Sequence, residues 1–441
     1  LRTYSALPVE RWIVLGFLSV ILTGTLLLWG NSGPVRPISL LDALFLSASA
    51  VCVTGLSPLD VGRALSPSSQ VLLLLLIQLG GLGVMTVTTA LPLLMGQRIG
   101  LRGRILFSGG LGIDSLQGAV RLLRRVLLFT LLIEGGGAFL LFWGFLPGRG
   151  VGEAAWLALF HSVSAFCNAG FSPFSDSLES FSGAFLVPGT LMGLILLGGI
   201  GFPVLSELVA RRSRPGTPLS PYARIVLRTT GLLLLGGTVL LASTEWNRAF
   251  AGFSPGLKLW NALFASVTPR TAGFDTVSYA NFSGAGIAIT ILLMIIGASP
   301  SSTGGGIKTT TLAVLCRMAW ADLTRKGEVE LFARRVEFDT IRRAWALTLI
   351  YVWTLFAAAI VLSFLEPFPF AELLFECVSA MGTVGLSMGI TGKLTPESKL
   401  VLVCLMFWGR VGIVTFFYGV LSRGASAGGR VTLPSARVPI G

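Results

Sequence analysis

The sequence predicts an all-α membrane protein of four tandem repeats, each pairing two spanning helices around a shorter helix and a turn. Three observations carry this. Of 441 residues, 53% are apolar and only 12% charged, half the charge of a typical water-soluble domain, which carries about 25%. The apolar residues gather into runs of spanning length. The chain also resembles itself at a spacing of roughly a quarter of its length.

Eight runs lie near 12–29, 71–95, 126–146, 185–209, 225–243, 284–316, 344–364 and 399–421. Each can cross a hydrocarbon core of about 30 Å at about 1.5 Å per residue. Backbone groups in lipid must be satisfied within the segment, which requires helices, and the runs do not alternate as barrel strands do. The first run lacks the small-residue cleavage pattern of a signal peptide. The chain starts at Leu1 without Met, so residues upstream are expected. Cys52, Cys167, Cys316, Cys377 and Cys404 form no C-x-x-C pair, so they indicate neither a zinc ribbon nor a disulfide framework and read as small core residues. His161 is the one histidine, which excludes imidazole metal clusters; it reads as a packed or hydrogen-bonded residue of a short helix.

Charge sets the expected orientation. Segments 1–11, 97–125, 207–228, 317–343 and 422–441 hold 23 of the 33 Lys and Arg residues against 8 acids. Segments 30–70, 147–184, 244–283 and 365–399 hold 8 basic and 11 acidic residues. By the positive-inside rule both termini are expected in the cytoplasm of a multi-pass protein of the cell inner membrane or plasma membrane. The basic patches read as topogenic and lipid-facing, with no nucleic-acid partner.

Self-comparison aligns four segments on the acidic side. They run from Ala43-Leu44-Phe45 to Val53-Thr54-Gly55, from Ala158-Leu159-Phe160 to Asn168-Ala169-Gly170, from Ala262-Leu263-Phe264 to Thr271-Ala272-Gly273, and from Leu373-Leu374-Phe375 to Thr383-Val384-Gly385. The glycines recur at intervals of 115, 103 and 112 residues. Two positions after the Phe stands Ser, Ser, Ser or Cys, and four after stands Ser, Ser, Thr or Ser. Two spans per repeat return the chain to one side, so all four repeats share an orientation and can surround a single axis. The repeats are bounded at 12–96, 120–209, 223–316 and 342–421, with a cytoplasmic tail at 422–441.

Each segment reads as a short re-entrant helix followed by an extended turn. Ser39 with Asp42 fits a capping box, and Ser254-Pro255 fits an N-cap followed by Pro. A helix of about 12 residues is about 18 Å long, too short to span. Its C-terminal end carries partial negative charge, so four ends aimed at one axis favour a cation there. Irregular backbone at membrane depth is tolerated where it lines a cavity, and a ring of backbone carbonyls can replace an ion's hydration shell. The four turns are therefore the candidate selectivity filter of one central pore.

These segments resemble the pore loops of the Trk/Ktr/HKT superfamily of potassium transporters, over nearly the whole chain from Trp12. The most specific stretches are Val53-Thr54-Gly55-Leu56, Cys167-Asn168-Ala169-Gly170-Phe171, Thr268-Pro269-Arg270-Thr271-Ala272-Gly273-Phe274 and Gly382-Thr383-Val384-Gly385-Leu386-Ser387-Met388. The last is similar to the KtrB-type branch, as is the absence of room for two further helices before Trp12. The resemblance implies a homodimer with one pore per subunit, a cytosolic ring of nucleotide-binding RCK-domain subunits, potassium as the transported ion and sodium as an activator. In plant members serine in place of the first filter glycine goes with sodium transport; glycine at all four positions here implies potassium selectivity. The four turns differ in sequence, so fourfold symmetry is only approximate.

The sixth run is interrupted at 297–311 by Pro300 and by Gly304, Gly305 and Gly306, with Lys308 close behind. Ile307 between Gly306 and Lys308 breaks the phosphate-loop pattern. In the resembled family the matching segment is an intramembrane gating loop, which gives these glycines and Lys308 a role as gate. A simple hinge, with Lys308 snorkelling to the surface, is the other reading. Arg410, alone in the last run, costs about 2.5–3.5 kcal/mol at the membrane centre on insertion scales; it is expected to face a watery cavity or a partner as an electrostatic barrier. Glu134, the one acid well inside a spanning run, could pair with Lys308 or Arg410, bind a coupling ion or be protonated. Asp60, Asp176 and Asp275 follow filter glycines and read either as cation-concentrating mouth residues or as solvated loop charges.

Parallel repeats and a single intramembrane acid favour gradient-driven, channel-like potassium uptake over an obligatory potassium–sodium or potassium–proton symporter, for which inverted repeats are common. One histidine and one carboxylate leave nothing from which to build an intramembrane enzyme. No bound cofactor is expected.

Overall fold

The computed structural model describes residues 9–31, 37–94, 116–213, 216, 218–325, 327–332, 334–412 and 416. The tail expected at 422–441 and most of the basic segment 97–125 lie outside them. The eight apolar runs are helical where described, apart from breaks at 200–201 and 296–308 and the end of the last helix before Gly412. The first repeat contains α1 (Val9–Gly30), α2 (Leu40–Val51), a single turn α3 (Val61–Ala64) and α4 (Pro67–Leu94). The second contains α5 (Leu116–Phe145), α6 (Val151–Phe166), α7 (Leu186–Gly199) and α8 (Phe202–Ser213). The third contains α9 (Pro221–Glu245), α10 (Pro255–Val267), α11 (Gly284–Ile295) and α12 (Thr309–Leu323). A two-residue antiparallel pair, Glu330–Leu331 with Arg334–Arg335, precedes α13 (Phe338–Leu365), α14 (Phe370–Gly382) and α15 (Pro396–Val411).

The two helices of each repeat differ in kind. Among the described residues, the first helices hold the four stretches long and apolar enough to cross alone: Arg11–Gly30, Val126–Phe145, Pro221–Glu245 and Phe338–Leu365. Their outer faces show large apolar side chains such as Leu131, Leu232 and Trp353, as a lipid environment requires. The second helices of the second and third repeats break. Between α7 and α8 the chain bends by 102° around Gly201, whose φ is +89°. α11 stops at Ile295 and the chain resumes helix only at Thr309. α15 ends at Gly412, with φ +88°.

The short helices α2, α6, α10 and α14 are mostly buried over their C-terminal halves, and Phe45, Phe160, Phe264 and Phe375 are fully buried. Ser39 caps α2, half of the expected capping box: its Oγ accepts from the Asp42 amide at 3.0 Å, while the Asp42 carboxylate accepts from the Ser39 hydroxyl at 2.7 Å. Ser254 occupies its expected N-cap position with Pro255 behind it, but its hydroxyl makes no capping bond. Three of the four short helices are tied by a hydrogen bond to the first helix of their own repeat. Ser47 donates to the Ile21 carbonyl at 2.7 Å, Ser162 to Glu134 at 2.6 Å and Ser266 to Leu234 at 2.9 Å. Glycine stands opposite each serine, at Gly24, Gly137 and Gly237, where a Cβ would strike the hydroxyl. That explains three of the four hydroxyl-type residues two positions after the repeated Phe. Of the cysteines, Cys52, Cys167 and Cys377 are buried, whereas Cys316 and Cys404 lie on exposed helix faces, which corrects their assignment to the core.

Candidate functional site: a ring of four turns

The four glycine turns meet at one place. In each, the first residue is left-handed: Val53 at φ +57°, Asn168 at +60°, Thr271 at +68° and Thr383 at +51°. The terminal glycine is left-handed too, with φ of +98° at Gly55, +69° at Gly170, +79° at Gly273 and +95° at Gly385. A left-handed conformation costs a non-glycine residue about 1–3 kcal/mol and persists only where its surroundings impose it. Here it recurs four times at aligned positions, and the non-glycine residues of the turns are fully buried.

The ring closes in chain order. A Cβ on Gly55 would strike the Ala169 carbonyl oxygen; one on Gly170 would lie 2.6 Å from the Ala272 oxygen; one on Gly273 would lie 2.5 Å from the Val384 oxygen; one on Gly385 would strike the Thr54 oxygen. Each glycine thus faces the middle carbonyl of the next repeat, and the fourth faces the first. Absence of a side chain is needed twice over, for the backbone angle and for the neighbouring carbonyl.

The hydroxyl four positions after the repeated Phe holds each turn. Ser49 and Ser379 accept from the amides of Gly55 and Gly385, both at 3.0 Å. Ser164 donates to the Phe171 carbonyl at 2.8 Å, and Thr268 donates to the Phe274 carbonyl. The same side chain braces all four turns, in two ways.

Outside the ring, a cavity of about 400 Å³ is lined by the four glycines with Asp60 and Asp275. Asp60 also caps α3, accepting from Gly62 and Arg63 amides at 2.9 and 3.0 Å. Asp176 does not line this cavity and instead holds Ser180. The Asp275 carboxyl is pushed up to about 7, first by loss of water around it and secondarily by Glu179 and Asp176; a hydrogen bond with Ser177 opposes this.

Inside the ring lies the glycine loop between α11 and α12. Gly297 donates to the Ile307 carbonyl at 2.9 Å, closing the loop's neck. The Gly305 amide donates to Thr383 Oγ1 at 3.0 Å, and a Cβ on Gly304 would strike Thr271. The loop therefore abuts the inner ends of the third and fourth turns. Lys308 does not snorkel away: its Nζ donates to the Gly304 carbonyl at 2.7 Å. Arg410 donates to the Thr303 carbonyl of the same loop and to the Gly80 carbonyl at 2.6 Å. Gly304, Gly306, Lys308 and Arg410 line an inner cavity of about 380 Å³. Glu134 pairs with neither cation. Gln78 donates to it at 3.3 Å, and Cys167 Sγ lies 3.9 Å away.

The residues just after the repeated Phe are His161 in α6 and Glu376 in α14, both fully buried. His161 is packed and hydrogen-bonded in its short helix, as expected. Glu376 escapes a reading based on hydropathy, because it sits in a short helix rather than a spanning run. The aligned positions in the other repeats are Leu46 and Ala265, and alignment of the repeats is the signal that exposes Glu376.

A profile of the TrkH family, described as a cation transport protein, matches residues 10–420. The chain belongs to the TrkH family. A relative, Ktr system potassium uptake protein B of Vibrio alginolyticus, is 38% identical over 92% of this chain and 90% of its own length. The potassium/sodium uptake protein NtpJ of Enterococcus hirae is 35% identical over 100% of this chain and 99% of its own. The crystal structure of the potassium transporter TrkH from Vibrio parahaemolyticus superposes with a TM-score of 0.72 at 21% identity, covering 96% of this chain and 86% of that one. It shares the fold: an all-α membrane protein.

Proposed function

We propose that this chain carries potassium into the cell through a selective, channel-like pore on the axis of the four turns. One observation carries the reading: each filter glycine lies against the carbonyl oxygen of the next repeat, in a closed ring of four. Backbone oxygens around one axis replace the hydration shell of a monovalent cation. Val53, Thr54, Gly55, Asn168, Ala169, Gly170, Thr271, Ala272, Gly273, Thr383, Val384 and Gly385 form the filter in this reading. Gly304, Gly305, Gly306, Lys308 and Arg410 form the gate. The gate assignment is supported by the loop's contact with Thr271 and Thr383 and by its clamping to the Thr303 and Gly80 carbonyls through Arg410.

The relatives' names support potassium as the substrate and a multi-component system. We extend this to a homodimer regulated by a cytosolic RCK-type ring, stimulated by sodium, with both termini in the cytoplasm. Obligatory potassium–sodium symport is the second reading, favoured by the Enterococcus relative's name. Glu134, the acid such coupling would use, bonds to Gln78 and Cys167 rather than lining either cavity, which favours the channel-like reading. The test is potassium flux into liposomes holding the purified chain, with sodium or choline as the accompanying ion. Selective gradient-driven flux without stoichiometric sodium supports a channel-like pore; obligatory cotransport supports the symporter; absence of flux with the cytosolic ring present refutes both.

A further inference from the structure

Two diagonal repeats carry a matching polar brace behind the filter. In the second, His161 Nδ1 lies 2.8 Å from the Leu157 carbonyl and Nε2 lies 3.0 Å from Ser172 Oγ. A carbonyl only accepts, so Nδ1 carries the proton and Nε2 accepts from the Ser172 hydroxyl. Ser172 Oγ in turn accepts from the Phe174 amide at 3.0 Å. In the fourth repeat Glu376 accepts from the hydroxyls of Ser387 and Thr391, the latter at 3.0 Å. Ser387 Oγ accepts from the Gly389 amide at 2.9 Å.

The correspondence is position by position. His161 and Glu376 each follow the repeated Phe. Ser172 and Ser387 each stand two residues after the filter glycine, and each caps the amide two residues further on. Both serines line the outer cavity. The other two repeats lack the brace: Leu46 faces no such bond in the first, where Ser57 turns instead to the Leu59 carbonyl at 2.5 Å, and Ala265 holds the place in the third. The ring order places the second and fourth repeats across the axis from each other.

We propose that His161 and Glu376 are positioning residues that hold the outer end of the filter from behind, and that this diagonal brace sets the discrimination of potassium from sodium. The inference rests on the filter reading above. Its physics is that a carbonyl cage distinguishes two monovalent cations only while its oxygens cannot close on the smaller one. Hydrogen bonds anchored on fully buried side chains of a fixed helix prevent that collapse, and they act where the chain leaves the ring.

The test compares His161→Leu, which installs the first repeat's residue, with His161→Gln, and Glu376→Leu with Glu376→Gln. Ser172→Ala and Ser387→Ala remove only the hydroxyl ends of the braces. Each purified chain is checked for monodispersity, then assayed in liposomes for potassium-to-sodium permeability ratio and for half-saturating potassium. The leucine and alanine variants are expected to lower the ratio by about tenfold, the equivalent of about 1.4 kcal/mol, with the maximal rate changed less than the half-saturating concentration. The glutamine variants restore the ratio, and His161→Leu combined with Ser172→Ala loses no more than either alone. A ratio unchanged in the variants, with the parent chain potassium-selective, overturns the brace and leaves the filter reading standing. A parent chain without selective flux, with the cytosolic ring present, overturns that reading and the brace with it. If the leucine variants fail to fold, the two serine variants decide.

Discussion

Replacing Gly55 by serine puts a side chain where the structure holds a carbonyl oxygen. At φ +98° a residue with a Cβ is strained, at about 1–3 kcal/mol. The new Cβ would also strike the Ala169 oxygen and lie 3.1 Å from the Gly170 Cα. Neither neighbour is a flexible side chain, so the second repeat's turn has to shift. The shift reaches an oxygen of the ring itself, and strain of this size corresponds to about one to two orders of magnitude in an equilibrium. Gly55→Ser is therefore expected to lower the potassium-to-sodium permeability ratio by about tenfold or more, with sodium entry gained rather than all flux lost. Paired isotope fluxes of potassium and sodium in liposomes read this directly. A ratio unchanged within twofold would refute the assignment of Gly55 to the filter, since a collision with a ring oxygen leaves no route to an unperturbed cage.

Arg410→Ala removes the donor that bridges the Thr303 and Gly80 carbonyls; a hydrogen bond involving a charged group is worth about 1.5–3 kcal/mol, so the loop loosens and flux without the cytosolic partner rises several-fold in the same liposomes. Glu134→Gln keeps the Gln78 contact and is expected to leave potassium flux within about twofold, a hydrogen bond between neutral groups being worth about 1 kcal/mol; loss of flux together with loss of sodium coupling would favour the symporter. External pH should act through Asp275. Its carboxyl is protonated below about 7 and charged above it, so the folded chain loses stabilisation from this group as pH rises through that value, while the mouth gains a negative charge. Half-saturating potassium is therefore expected to fall between pH 6 and 8, and Asp275→Asn to flatten the profile.

Much of the site was legible before any coordinates. The glycine spacing and the repeated Phe and hydroxyl positions are local regularities, and a membrane leaves few ways to satisfy them. Cys316 and Cys404 were misread because apolar sequence does not say whether a face meets protein or lipid. Glu376 is not legible from hydropathy, because one acid in a short apolar helix carries no periodic signal.

The sequence by itself determined the eight apolar runs, the broken sixth helix and the four aligned turns, since hydropathy and backbone permissiveness act over tens of residues at most. Tertiary structure alone decided the closed order of the ring and the left-handed geometry of Val53, a β-branched residue that no local preference places there. It alone decided the partners of the intramembrane charges. Arg410 meets a carbonyl 330 residues away at Gly80, and Glu134 meets an amide rather than a cation. The reason is physical: a buried polar group takes whichever partner the packed helices bring within about 3 Å, and in a chain that circles one axis that partner lies in another repeat.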